Sequence, residues 1–146
     1  MSRDASAFGR RVVLLSGDRL ASPAAWTAEL DGAVPRGEAR MVGALLLDFR
    51  SQSYAPSAED AGRLVDSLLA RFGAVVPPVA TVARSGPQFG GTRVLCSVVE
   101  MRGCRAAAFP SEAEAWLWLR AQLRLPVAGL TAAEQGGAAA DGTMGA

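Results

Sequence analysis

The stretch from Gly43 to Leu69 constrains this chain more than any other. Gly43-Ala-Leu-Leu-Leu-Asp48-Phe49 is a short apolar run bounded by a glycine and a charge, the pattern of a strand buried on both faces. The polar Arg50-Ser-Gln-Ser-Tyr-Ala-Pro56 requires a turn, and Ser57-Ala-Glu-Asp60 then offers an N-cap serine with an acid three positions on. Leu64, Val65, Leu68, Leu69 and Phe72 recur at helical spacing until Gly73 and the Pro77-Pro78 pair end the unit. A doubly buried strand that leads at once into an amphipathic helix points to the α/β class.

The same unit recurs on either side. Val12 to Leu15 is apolar and ends in the Gly17-Asp18 turn, after which Ser22-Pro23 starts a helix with Trp26, Leu30 and Val34 as its stripe. Val79 to Ala83 predicts a third strand, followed by a helix from about Gln88 to Met101 whose first turn Gly90-Gly91 weakens. Arg105 to Phe109 predicts a fourth strand, and Pro110-Ser111-Glu-Ala-Glu114 carries a capping box into a last helix reaching about Leu123. The expectation is therefore a four-stranded, mostly parallel sheet with alternating helices, forming one domain over 11–124. Residues 1–10 read as a flexible N-terminus and 125–146 as a disordered Ala/Gly-rich tail without apolar period.

Composition excludes more chemistry than it suggests. With no histidine in 146 residues, serine–histidine and cysteine–histidine mechanisms drop out, and the usual neutral-pH base is missing. Cys96 and Cys104 are the only thiols, a poor basis for a tetrahedral metal site, so no metal and no cofactor are expected. Fifteen basic against 14 acidic residues leave a net charge of +1, which gives no reason to expect nucleic acid. No apolar run approaches the roughly 20 residues of a membrane span, and the N-terminus lacks a signal-peptide core, so a cytoplasmic location is expected.

Three stretches resemble a known family. Ser16-Gly-Asp-Arg-Leu-Ala-Ser-Pro-Ala-Ala-Trp26, Leu46-Leu-Asp48-Phe-Arg through Pro56-Ser57-Ala-Glu-Asp60, and Phe89-Gly-Gly-Thr-Arg93 followed by Phe109-Pro-Ser-Glu-Ala-Glu-Ala-Trp-Leu-Trp-Leu119 are similar to segments of bacterial STAS-type domains. The resemblance is to their SpoIIAA-like relatives, the anti-sigma factor antagonists, and spans roughly 11–123. It implies a STAS/SpoIIAA-like fold, regulatory binding of a protein partner, and a phosphorylated serine opening the second helix. Ser57 falls at that position, but Pro56, Ala58 and Glu59 replace the family's aspartate, second serine and glycine. Glu59 and Asp60 would repel a phosphate there, so Ser57 reads either as a plain helix cap or as a phosphorylation site.

If the strands are parallel, Asp18, Asp48, Arg50, Arg84, Ser85 and Gly86 gather at their carboxyl ends, where ligands of open α/β sheets collect. With Arg93 they form a candidate anion or ligand rim, against the plainer reading of polar turn residues. Gly86-Pro-Gln-Phe-Gly-Gly91-Thr92 lacks the lysine of a phosphate loop, and Asp48 has no second activated group beside it, so no catalytic residue is assigned. Trp116 and Trp118 lie about 100° or more apart around the last helix. An exposed second tryptophan would mark an interaction surface, with a second copy of the chain as its simplest cover. The function expected is a non-enzymatic regulatory or ligand-binding domain acting through a protein partner or small ligand. The alternatives are a small enzyme or nucleotide-binding domain using the rim, and a homodimeric scaffold.

Overall fold

The computed structural model describes residues 10–123 except 36 and 53, with the side chains of Asp18 and Arg19 also outside the description. The expectations for the first nine residues, for the tail beyond Leu123 and for the Asp18 side chain fall outside these limits.

Four strands, β1 (Arg11–Ser16), β2 (Val42–Asp48), β3 (Val79–Val82) and β4 (Ala106–Phe109), alternate with four helices, α1 (Pro23–Ala33), α2 (Ala58–Phe72), α3 (Pro87–Met101) and α4 (Glu112–Leu123). The sheet is parallel throughout, in the order β1-β2-β3-β4. Each helix start has a local cause. Ser22 accepts from the Ala25 amide ahead of Pro23, and Ser57 forms a reciprocal capping box with Asp60. Gly73 and Gly103, at φ 67° and 85°, turn the chain just after α2 and α3 in a conformation that only glycine adopts without strain.

The strand order decides where the helices go. Successive right-handed crossovers that always step in the same direction leave their helices on one face. One core accordingly joins Trp26 and Leu30 of α1, Leu64 and Leu68 of α2, and Leu95 and Val99 of α3 to Val13, Leu15, Leu45 and Leu47 of the sheet. Among the described residues α4, which follows β4, is the element that covers the opposite face. Ala115 and Leu119 there meet Val12, Ala44, Leu46, Ala80 and Val82. β2 and β3 are buried on both sides, as the uninterrupted apolar runs require.

The order has a second consequence. An open α/β sheet makes its ligand crevice where the strand order reverses, and among the described strands this sheet has no reversal. An irregularity at the other end takes on more interest. Arg11 pairs with Val42 and Val12 with Ala44, so Gly43 is an extra residue, a β-bulge at the amino end of β2. A Cβ on Gly43 would stand 2.7 Å from Leu123 Cδ2 and 2.8 Å from Arg10 Cβ, so only glycine lets α4 and the chain entering β1 close on this point.

Candidate functional site

At the carboxyl ends of the strands two of the rim residues, Asp48 and Arg50, meet each other. Asp48 Oδ1 accepts from the Arg50 amide at 3.0 Å and from Arg50 Nε at 2.9 Å, while Oδ2 accepts from Arg50 Nη2 at 2.7 Å. Arg50 Nη2 reaches on to Glu112 Oε1 at 3.4 Å, and the other Glu112 oxygen accepts from Trp116 Nε1 at 3.1 Å. This chain of bonds runs from the end of β2 to the first turn of α4. Burial would raise the Asp48 carboxyl, but the side-chain and backbone bonds of Arg50, with its charge, outweigh it and hold the carboxyl below its ordinary value.

Arg84 and Gln88 bind the loop that follows β2. Gln88 is 5% exposed, and its Nε2 lies 2.9, 2.5 and 3.1 Å from the carbonyls of Phe49, Gln52 and Tyr54. Its Oε1 accepts from the Arg84 amide at 2.9 Å, and Arg84 Nη2 donates to the Gln52 carbonyl at 2.8 Å. One carboxamide thus satisfies backbone groups that no strand reaches. Nearby, Gly91 lets α3 touch the same loop, since a Cβ there would stand 2.7 Å from the Pro56 carbonyl oxygen.

Ser57 caps α2. Its hydroxyl accepts from the Asp60 amide at 3.1 Å, and Asp60 Oδ2 accepts from the Ser57 amide at 3.3 Å. The Tyr54 hydroxyl also donates to Asp60 Oδ2. That bond is the largest influence holding the Asp60 carboxyl below its ordinary value, while burial and then the bond to Asp60 push the Tyr54 hydroxyl up. Ser57 itself stays exposed.

The other candidates are more scattered. Ser85 and Gly86 are exposed in the turn before α3, where Gly86 sits at φ 93° and caps the helix without a side chain. Arg93 is exposed on α3, and among the described residues no hydrogen bond or ion pair joins it to the rim. Asp18 lies in the 3-10 turn Gly17–Leu20 after β1. Both cysteines are free: Cys96 is buried, with burial raising its thiol to about 11, and Cys104 is half-buried. No group of three or more potential metal ligands occurs among the described residues.

Trp116 and Trp118 differ from expectation, for both are half-buried on the second core and neither is exposed. Among the described residues no other helix shares this face with α4, and each indole leans sideways onto the sheet. Trp118 lies against Phe109 with ring centroids 5.8 Å apart. The side chain turned outward between them is Leu117, 63% exposed.

At the amino ends of the strands a cavity of about 450 Å³ opens beside the Gly43 bulge. Val42, Phe72, Val75 and the Pro77–Pro78 pair form its apolar walls, and Arg10 and Arg40 also line it. A second, more polar cavity of about 600 Å³ lies between α1 and α2. Its groups pair across it, Thr27 with Ser67 at 2.7 Å and Arg71 with Asp31 at 2.5 Å.

Gln88 and Glu112, which tie the rim together, carry no local sequence signal for it, because the rim groups they bond come from another unit. No family model matches the chain, and comparison with curated proteins and with solved structures finds no match to it either.

Proposed function

We propose that the chain is a non-enzymatic, STAS-like regulatory domain whose task is binding, through a protein partner or a small ligand. The observation that carries this reading is the internal pairing of the rim. Arg50 stands between two carboxylates, Arg84 and Gln88 hold the loop after β2, and Asp60 is shared by Tyr54 and Ser57. Groups bonded in this way stiffen a surface, whereas a catalyst needs some of them free to meet a substrate. The surface they stiffen carries Ser57 exposed at the start of α2, where the resemblance to anti-sigma factor antagonists would have its regulatory serine.

Incubating the full chain with ATP and an anti-sigma-type kinase tests the regulatory half of this reading. The expected result is a stable complex whose affinity changes when Ser57 is replaced by aspartate, with the fold retained. Turnover of any small molecule that is lost in Asp48→Asn while the fold stands would overturn it.

Self-association through α4 is a second reading, favoured by the exposed Leu117 between two half-buried tryptophans. In that case a second copy covers the outer side of α4.

A further inference from the structure

The cavity at the amino ends of the strands combines two features that differ from the rest of the surface. Its walls are apolar and rigid, built from two prolines, a phenylalanine and the backbone around a bulge. Its volume falls in the range of roughly 300–1,000 Å³ usual for small-molecule sites. It also takes two guanidinium groups that have no hydrogen bond or ion pair among the described residues, those of Arg10 and Arg40. At the other end of the sheet, by contrast, Arg50 and Arg84 are answered by acids and a carbonyl. The nearest acid in sequence, Glu38, is held by Arg11 Nη2 at 3.3 Å.

We propose that this cavity binds a small amphipathic carboxylate, with the apolar body against Val42, Phe72, Val75 and the prolines and the head group between Arg10 and Arg40. Charge complementarity selects the occupant. An apolar molecule without charge would leave both guanidiniums without a partner, and a cation would be repelled. Guanidinium is also the side chain best shaped to grip a carboxylate with paired N–H donors. The bulge lies in the cavity wall itself, where Val42 and the extra residue Gly43 line it.

The site lies at the opposite end of the sheet from the rim and rests on the reading of the chain as a binding domain only in needing no reaction. Isothermal titration of the full chain with octanoate, octanol and octylammonium separates the possibilities, since the three share one apolar body. Octanoate is expected to bind and the other two to bind at least tenfold more weakly. Arg10→Gln and Arg40→Gln should each weaken octanoate about tenfold, with unchanged melting temperature. Val75→Trp, at a wall position 41% exposed and so tolerant of size, should block the cavity and abolish binding. Absence of octanoate binding, equal binding of octanol, or full affinity in both arginine variants would overturn the site. Chemical conversion of bound octanoate, followed by NMR in the same samples, would leave the site standing and overturn the binding-domain reading instead.

Discussion

The Gln88 carboxamide bonds to carbonyls 34 to 39 residues away, so a single side chain fixes the loop between β2 and α2. Gln88→Leu strands the Tyr54 carbonyl and the Arg84 amide and takes one donor each from Phe49 and Gln52, and should cost about 2–3 kcal/mol in urea denaturation. Ser57→Ala removes one half of a capping box and should cost about 1 kcal/mol. Asp48 and Asp60 set the acid limit. Both carboxyls sit below their ordinary value of 3.8 when folded, so the unfolded chain takes up protons first as pH falls. Their contribution is complete above about pH 4 and is lost as pH drops through the lower folded values. The urea midpoint should therefore fall between pH 5 and pH 3, and Tyr54→Phe, which removes the leading influence on Asp60, should make that fall shallower. Cys96, with its thiol raised to about 11, should resist a thiol reagent at pH 8 until the chain unfolds, while Cys104 reacts sooner.

Among the elements, α3 separates two glycines that look alike in sequence. Gly90 has nothing within 4 Å of a built Cβ, whereas Gly91 abuts Pro56. Gly90→Ala should stabilise the protein by up to about 1 kcal/mol through helix propensity, and Gly91→Ala should destabilise it despite the same gain. Thermal melts of the two variants side by side decide this. The contrast shows what was legible beforehand. Caps and apolar periods are local, so Ser22, Ser57, Gly73 and the run at Leu45 to Leu47 announced the strands, the helices and their order along the chain. Which neighbour a residue meets is not local: Arg50 finds Glu112 62 residues on, and nothing near either residue foretells the pair. The rim could be anticipated as a gathering of polar residues, but its mutual pairing could not. α4 misled for a related reason. Its apolar residues surround the helix, and the packing of both indoles on the sheet face, with Leu117 pointing out, depends on partners in other units.

For the whole molecule, self-association is decided by sedimentation. If α4 pairs two copies, Leu117→Lys should shift a dimer toward monomer at unchanged helix content; a chain that is monomeric at high concentration removes that reading. The placement of three helices on one face and a single helix on the other also bears on synthesis. Each strand pairs with the one made just before it, so the sheet and its first core can form while the ribosome is still working. Among the described residues, the other face gains its cover only when the 12 residues of α4 emerge. Until then Val12, Ala44, Leu46, Ala80 and Val82 lack the α4 side chains that bury them, and offer an apolar surface to chaperones or to a neighbouring nascent chain. A chain arrested before Ser111 should bind a hydrophobic dye and precipitate, making the arrival of α4 the step at which this face is closed.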